Sequence, residues 1–169
     1  MQSFLDLAKS RFSVRKFKPQ PIETEKLTMI LEAGRAAPTA SNHQPQRIKV
    51  ITDPEDLAKV DQCTTCRFNA PAVLLVCYDK AVSWTRKFDG ASSGEVDAAI
   101  VTTHLMLEAQ DLGIGSCWVM YFDPVKTAEL FNLPENLVPI VMMPIGYPAN
   151  DAMPAIGHVQ RKPLEDTCI

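Results

Sequence analysis

Two short segments hold most of the residues that could do chemistry. The first, Arg11 to Arg15, reads Arg-Phe-Ser-Val-Arg, and the second, Ala37 to Pro45, reads Ala-Pro-Thr-Ala-Ser-Asn-His-Gln-Pro. Two arginines with a serine between them suit a phosphomonoester, because guanidinium groups bind phosphate oxygens at two points and the hydroxyl adds a third donor. The second segment supplies hydroxyl and amide groups that can bind a polar ring. Together the two segments favour one compact anionic ligand.

The positive charge of the chain is local. The whole chain of 169 residues has a net charge of −3, but residues 1–20 contain five basic side chains and one acidic side chain, Asp6. The basic ones are Lys9, Arg11, Arg15, Lys16 and Lys18. This concentration is what an anion site needs, although a solvated basic face on an N-terminal helix would give the same pattern.

Composition bounds the class of protein. A chain of 169 residues with 46% hydrophobic composition fits one domain with a real core. A net charge of −3 and 22% charged residues lack the basic excess that nucleic-acid or membrane-surface binding requires, so we expect a small-molecule ligand. The longest apolar run, residues 70–78, is far shorter than the ~20 residues of a membrane helix. The N-terminal residues lack a secretory apolar core, which predicts a cytoplasmic protein.

The five cysteines form an odd set of low density that suits a reducing compartment. They are Cys63, Cys66, Cys77, Cys117 and Cys168. Cys63 and Cys66 have the spacing of a redox motif, but a thioredoxin-like site needs the pair at the start of a helix and a zinc site needs a second pair. A loop before a strand at Val73 is the alternative interpretation.

Hydrophobic periodicity predicts helices and strands in alternation. Helical spacing occurs over residues 5–12, 27–34 and 95–112, with shorter helices at 54–60 and after Asp123, which caps a helix that Pro124 begins. The long helix at 95–112 is apolar around most of its circumference and stops at Gly113. Such a helix is buried, in part by a second subunit.

Short apolar runs rich in β-branched residues predict four strands. They cover residues 47–51, 71–78, 115–120 and 138–145, and the tail after Pro148 is irregular. Strand, helix and strand in sequence predict an α/β or α+β domain in layers. The polar stretch Asp79 to Gly94 reads as a mobile surface loop that holds Trp84 over a site.

With these segments in place, the chain resembles the nitroreductase family of FMN-dependent NAD(P)H oxidoreductases, in particular its short members. The resemblance covers nearly the whole chain. It rests on the two opening segments and, in the family's order, on Leu112–Trp118, Phe122–Pro124, Pro144–Pro148 and Arg161–Glu165.

The resemblance implies a three-layer fold, with a central mixed sheet flanked by helices and FMN at the interface of an intertwined homodimer. It implies that Arg11, Ser13, Arg15 and Arg161 hold the FMN phosphate. The full implied FMN-binding set is Arg11, Phe12, Ser13, Arg15, Pro38, Thr39, Asn42, Gln44, Met120, Tyr121, Arg161 and Lys162.

Two positions depart from the family's usual pattern. Relatives often have tryptophan where this chain has Gln46, and they have smaller residues where this chain has Met120 and Tyr121. Backbone groups at Met120 and Tyr121 can still contact the reactive N5 and O4 edge of the flavin. Their larger side chains would narrow the pocket and change which acceptors fit.

The implied chemistry needs no side-chain nucleophile, because the cofactor carries out hydride exchange while the protein binds and orients it. We therefore expect no catalytic side chain and no metal. NAD(P)H would reduce FMN and leave, and a small electron-poor acceptor such as a nitroaromatic or a quinone would then be reduced in the same pocket. The sequence leaves open the physiological acceptor and the choice between NADH and NADPH.

Two other functions fit parts of the sequence. A flavin-binding or regulatory module that carries FMN without turnover would account for the bulky Met120 and Tyr121. The second is a thiol-disulfide switch at Cys63 and Cys66 on an anion-binding domain. This second function predicts no flavin binding.

Overall fold

A computed structural model of the protein describes residues 3–168. The helices are α1 (Phe4–Ser10), α2 (Thr24–Ala36), α3 (Pro54–Cys63), α4 (Gly94–Asp111) and α5 (Pro124–Leu130). The strands are β1 (Gln46–Ile51), β2 (Ala72–Asp79), β3 (Gly115–Ser116) and β4 (Leu137–Gly146). Short 3-10 turns occur at Ala40–Asn42, Ile156–Val159 and Leu164–Asp166.

The four strands form one sheet in the order β1-β2-β4-β3, and each neighbouring pair is antiparallel. A parallel bridge between Ser13 and Ser116 adds the N-terminal segment to the β3 edge. The α+β fold class predicted from the sequence is confirmed. The parallel component of the sheet is a single bridge within residues 3–168, so the sheet is almost entirely antiparallel.

The sheet is the middle of three layers. Leu74 and Val76 of β2 belong to the hydrophobic cluster under α2 and α4, whereas Val73 and Leu75 belong to the cluster under α3 and α5. All four side chains have no exposed surface. A strand covered on both faces requires an uninterrupted apolar sequence, and that is why β2 shows no polar alternation.

Helix α4 packs closely against α2. Leu105 is fully buried, and a Cβ atom added at Gly34 of α2 would lie 2.5 Å from Leu105 Cδ2, so glycine permits this close approach. The helix ends where Gly113 adopts φ +73°, a conformation that favours glycine. The predicted cap of α5 is also present, because the Asp123 carboxylate accepts a hydrogen bond from the Lys126 backbone N–H at 3.0 Å.

Three predicted element boundaries were wrong. Helix α1 ends at Ser10, because Arg11 is already extended (φ −61°, ψ 133°), so Phe12 does not continue a helical face. The strand predicted at 115–120 pairs continuously only over β3 and then makes one isolated bridge between Val119 and Met142. Helix α3 runs three residues past its predicted end at Val60, to Cys63.

The predicted loop after β2 contains local pairing. Thr85 and Ser92 form an antiparallel bridge, and the Arg86 guanidinium pairs with Asp89 at 2.6 Å. Trp84, at the base of this loop, is half-buried.

In the described part of the chain, no helix combines the length and apolarity that crossing a membrane would require.

Candidate functional site

The N-terminal segment is fixed to the sheet edge by Val14. Its backbone N–H donates to the Ser116 carbonyl oxygen at 2.9 Å, and its side chain is buried. A Cβ atom at Gly115 would lie 2.7 Å from Val14 Cγ2, so glycine leaves room for this contact. In an extended segment successive side chains point to opposite sides. With Val14 buried, its neighbours Ser13 and Arg15 therefore point away from the core.

The environment of Cys117 shows that three predicted phosphate-binding residues converge. Burial raises the pKa of the Cys117 thiol, and Arg15, a hydrogen bond with Ser13 and the more weakly acting Arg11 oppose that rise. A side chain changes the pKa of this thiol only when it lies nearby, because electrostatic interactions weaken with distance. The two guanidinium groups and the hydroxyl therefore lie near enough to the Cys117 thiol to influence its charge.

The arginines divide into two groups by their partners. Four of the seven in the sequence pair with carboxylates, at Arg35–Glu32, Arg47–Asp79, Arg67–Asp61 and Arg86–Asp89. Within residues 3–168, no carboxylate lies within 4.0 Å of the other three, Arg11, Arg15 and Arg161. These three are the arginines that the sequence analysis assigned to a phosphate. Their charge remains available for an external anion.

The C-terminal tail returns to this edge of the sheet. A small cavity of about 90 Å³ is lined by Phe12, Ser13, Arg15, Ala155 and His158. The rings of Phe12 and His158 meet edge to face, with their centroids 6.2 Å apart.

Arg161 folds back onto the same turn of the tail. Its guanidinium donates to the carbonyl oxygens of His158 and Gln160, and the neighbouring Lys162 is exposed. Sequence reasoning did not single out His158 as a site residue, because nothing in its local sequence shows that the tail returns to Phe12.

The second predicted segment has an unusual backbone. Ser41, Asn42 and Gln44 have φ values of 48°, 56° and 51°, the left-handed region that non-glycine residues rarely adopt. The Thr39 hydroxyl accepts a hydrogen bond from the Gln44 backbone N–H at 3.0 Å, which closes the turn. Asn42, Gln44 and Pro38 are exposed. Backbone strain of this kind is maintained only where surrounding contacts hold it.

Asp97 supplies one of those contacts. This carboxylate on the first turn of α4 is 2% exposed, and it accepts hydrogen bonds from the Ala40 backbone N–H at 2.9 Å and from the Ser93 hydroxyl at 2.7 Å. The His43 ring nitrogen also contacts the Val82 carbonyl oxygen at 2.9 Å. The segment is therefore attached to both α4 and the loop after β2.

Gln46 lies just beyond this segment, at the start of β1. Its side-chain oxygen is buried and has no hydrogen-bond partner in the described part of the chain. An unpaired buried acceptor costs about 1–3 kcal/mol.

The two segments lie at opposite corners of the sheet. Gln46 pairs with Tyr78, which pairs with Val138, whereas Ser116 pairs with Ile145 at the other end of β4. Along β4, seven residues separate Val138 from Ile145, or about 23 Å. Across the sheet, four strand spacings of about 4.8 Å separate β1 from the N-terminal segment, which lies beyond β3. On a flat sheet the diagonal is about 30 Å, longer than one mononucleotide can bridge.

Helix α2 independently indicates this separation. Its N-terminal turn is held at the end of β4, where the Lys26 ammonium donates to the Tyr147 hydroxyl at 2.7 Å and that hydroxyl donates to Glu23 at 2.6 Å. Its C-terminal end precedes Pro38. Thirteen helical residues span about 20 Å. One chain therefore brings Arg11, Ser13 and Arg15 together but does not bring the second segment to them.

Met120 and Tyr121 border a cleft of about 460 Å³ between the end of α3 and the start of α5. Their side chains are 66% and 77% exposed, so neither fills the cleft. The Tyr121 carbonyl oxygen accepts from the Thr64 hydroxyl at 2.5 Å, and the Met120 carbonyl oxygen accepts from the Phe122 backbone N–H at 3.0 Å. Within residues 3–168 the backbone N–H groups of Met120 and Tyr121 donate to no acceptor.

The Cys63 and Cys66 pair lies beside this cleft, and all five cysteines are free thiols. Cys63 is the last residue of α3 and is buried, so it does not lie in a loop as the alternative interpretation had it. The C-terminal end of a helix carries partial negative charge, which disfavours a thiolate. This placement is the reverse of the helix start that activates a redox cysteine pair.

The fold and the site define a layered α+β protein with a candidate anion site at one edge of its sheet. The sequence profile of the nitroreductase family matches residues 8–69 and 67–147. The chain belongs to the nitroreductase family.

Three relatives illustrate the similarity. A nitroreductase family protein from Clostridium difficile 630 has a TM-score of 0.93 and 40% identity, and the match covers 99% of this chain and 98% of that one. An FMN-dependent nitroreductase from Clostridium difficile R20291 has a TM-score of 0.77 and 30% identity over 90% of this chain and 91% of that one. A protein of Archaeoglobus fulgidus, provisionally named NADH dehydrogenase/NAD(P)H nitroreductase, is 30% identical over 89% of this chain and 88% of its own.

We expect replacement of Asp97 to alter the second segment more than the rest of the protein. Asp97→Ala leaves the Ala40 N–H without its buried acceptor, which costs about 1–3 kcal/mol. Asp97→Asn keeps an acceptor oxygen and should lose less. Amide hydrogen exchange would show faster exchange over residues 39–44 in the alanine variant, with exchange in β2 as the internal control. Unchanged exchange over residues 39–44 would contradict the positioning role of Asp97.

Proposed function

We propose that the protein is an FMN-dependent NAD(P)H oxidoreductase that reduces small electron-poor acceptors, such as nitroaromatics and quinones, in a ping-pong cycle. Family membership supports an NAD(P)H-dependent oxidoreductase, and the names of the relatives agree with FMN as cofactor. The observation that carries the proposal is the group of three arginines without carboxylate partners, Arg11, Arg15 and Arg161.

The donor set fits the phosphate end of FMN. Arg11, Arg15 and Ser13 all influence the Cys117 thiol, Ser13 and Arg15 line the adjoining cavity, and Arg161 donates to the carbonyl oxygen of His158, which also lines it. Charge-assisted hydrogen bonds from guanidinium groups to a phosphate are about twice as strong as neutral ones. The cavity of about 90 Å³ has room for more than one water molecule, as a compact anion requires.

The cleft residues fit the other end of the cofactor. The N5 and O4 atoms of an oxidised flavin are hydrogen-bond acceptors, and the backbone N–H groups of Met120 and Tyr121 are donors that the fold leaves unused. The carbonyl oxygens of Met120 and Tyr121 can only accept hydrogen bonds, and each already accepts one from another residue of the chain. These residues are close along the chain to the attachment of the N-terminal segment, because Ser116 pairs with Ser13 and Met120 follows four residues later.

FMN, when bound, supplies the hydride acceptance and donation that no side chain of the protein provides. The residues of the chain bind and orient it. Arg11, Ser13 and Arg15 hold the phosphate, and the N–H groups of Met120 and Tyr121 orient the polar edge of the ring. The open cleft of about 460 Å³ admits the nicotinamide and the acceptor in turn, which is the physical basis of a ping-pong order.

A second copy of the chain completes the site. Thr39, Asn42 and Gln44 lie about 30 Å from the arginines of their own chain on the sheet estimate. Both segments are predicted to bind FMN, yet they are too far apart within one chain. In a homodimer, these residues contact the FMN held by the partner subunit, so both segments bind one ligand. Exposed apolar side chains on α1 and the tail, Phe4 at 70% and Ile156 at 92%, supply surface for such an interface.

The alternative of a carrier without turnover depends on Met120 and Tyr121 blocking the ring. Their high exposure and the open cleft favour turnover. We retain the predictions of one domain over residues 1–169 and of a cytoplasmic location as parts of the proposal.

An anaerobic visible spectrum tests the function. The purified protein supplied with FMN should show a bound-flavin spectrum that bleaches on titration with NADH or NADPH and returns on addition of a quinone. A bound flavin that neither reductant bleaches would favour the carrier. Absence of flavin binding would reject both the oxidoreductase and the carrier, and it would favour the thiol-disulfide switch at Cys63 and Cys66.

Replacing Arg11 or Arg15 by alanine should weaken FMN binding by roughly one to two decades, because each loses a charge-assisted bond worth about 1.5–3 kcal/mol. Equilibrium binding measured by flavin fluorescence is the readout. Arg35→Ala is the matched control, because Arg35 is an exposed arginine of α2 that pairs with Glu32. The phosphate assignment fails if the Arg11 and Arg15 variants bind FMN as tightly as the control does.

Coexpression of two defective variants tests whether a site contains two chains. One carries Arg11→Ala with Arg15→Ala, and the other carries Asn42→Ala with Gln44→Ala. With random pairing, half of the dimers are mixed and each mixed dimer has one intact site, so about a quarter of the sites should bind FMN normally. Each variant alone should have none. A mixture no better than its two parents would mean that both segments act in the same chain.

A further inference from the structure

His158 forms one wall of the small cavity beside the phosphate-binding arginines. The other walls are Phe12, Ser13, Arg15 and Ala155, so three of the five lining side chains carry a hydrogen-bonding group. Two of them, Ser13 and Arg15, belong to the segment that the proposed function assigns to the FMN phosphate. The third, His158, comes from the distant tail and has no part in the predicted site.

The position of the His158 ring is fixed from two directions. Its edge-to-face contact with Phe12 has an interplanar angle of 70°, and its backbone N–H donates to the Ala155 carbonyl oxygen at 2.8 Å within the 3-10 turn. Arg161 also donates to the His158 carbonyl oxygen. The backbone groups are thus occupied by the turn, while the side chain contacts the apolar ring of Phe12. Within residues 3–168 the ring nitrogens make no hydrogen bond, so they are available to a ligand in the cavity.

We propose that His158 binds the phosphate group of FMN together with Ser13 and Arg15, and that its protonation makes FMN binding sensitive to pH. This inference rests on the proposed function, since FMN is the ligand. A neutral imidazole donates one hydrogen bond, whereas an imidazolium donates with a positive charge. The protonated form therefore binds a phosphate more tightly, and phosphate binding draws a proton onto the ring.

The charged groups around His158 make this titration interpretable. Arg15 lines the same cavity, and Arg161 of the tail contacts the His158 carbonyl oxygen. In the cavity next to it, Lys16 and Asp151 pair with each other at 2.6 Å. Arginine stays charged at every pH of interest, and the Lys16–Asp151 pair keeps its charges near neutrality. Among the described residues in these walls, His158 is the one whose residue type can change charge near neutral pH.

Two substitutions separate the phosphate contact from packing. His158→Phe keeps an aromatic ring against Phe12 but has no donor, so FMN affinity at pH 6 should fall roughly tenfold to a hundredfold. His158→Gln keeps a neutral donor without a titrating group. Its affinity should lie between those of the wild type and the phenylalanine variant at pH 6, and it should match the wild type more closely at pH 8.

The experiment is isothermal titration of FMN into the apoprotein at pH 6, 7 and 8, in two buffers of different ionisation enthalpy, which counts the protons taken up on binding. The FMN phosphate itself ionises near pH 6, and the ionisation of the free ligand is common to all three titrations. We expect the wild type to take up more protons at pH 7 than either variant. Riboflavin, which lacks the phosphate, should bind all three proteins with equal affinity.

The possible outcomes are distinct. If the wild type does not bind FMN, the proposed function fails. If all three proteins bind FMN with the same affinity and the same proton uptake, the function stands and the role of His158 is rejected. Equal losses for FMN and riboflavin would also reject it, because they would show that His158 only shapes the fold.

Discussion

The hydrogen bond from Val14 to Ser116, with burial of the Val14 side chain, is the interaction on which the candidate site depends. It holds the N-terminal segment extended along the edge of the sheet. In an extended chain, residues at alternate positions share a side, so Ser13 can lie with Arg11 and Arg15. In a helix, by contrast, Ser13 would point about 200° away from Arg11. The spacing of Arg11, Ser13 and Arg15 therefore places their side chains on one side only because the chain is extended here. The attachment of Val14 to the sheet prevents α1 from continuing past Ser10.

The dimensions of the sheet impose the second constraint. Strands β2 and β4 are long enough to keep the two ligand-binding segments at opposite corners, and α2 keeps them apart along its length. No side-chain rearrangement removes a separation of about 30 Å that is set by strand spacing and register. A ligand that needs both segments must therefore lie between two chains. Under the proposed function, assembly and ligand binding would be coupled, because each subunit would contribute half of the groups that contact the other subunit's ligand.

The elements that sequence analysis predicted well are those with local physical causes. Asp123 and Pro124 begin α5 through a cap and a preset φ, Gly113 ends α4, and the apolar run of β2 requires cover on both faces. These signals depend on a few neighbouring residues. Arg11 and Arg15 could be predicted as site residues for a similar reason, because charge and spacing are properties of the sequence itself.

What the sequence could not predict depends on contacts between distant residues. The end of α1 at Ser10 follows from the competing attachment of Val14 to β3, a partner more than one hundred positions away. The left-handed backbone of Ser41 and Asn42 depends on a buried carboxylate of α4. His158 lines the small cavity beside Ser13 and Arg15 because the tail returns to Phe12, and no periodicity in an irregular tail encodes that return.

The unpaired arginines also explain how a chain with net negative charge can bind an anion. Pairing Arg35 or Arg86 with a neighbouring carboxylate cancels their fields at close range, and such exposed pairs contribute little stability. Within residues 3–168, Arg11 and Arg15 have no carboxylate partner, so their charges are not compensated at close range. In the proposed function a phosphate dianion would supply the missing counter-charge, and this attraction favours the bound state. The local excess of positive charge at residues 1–20 would then serve binding, and ligand binding would stabilise the folded chain through mass action.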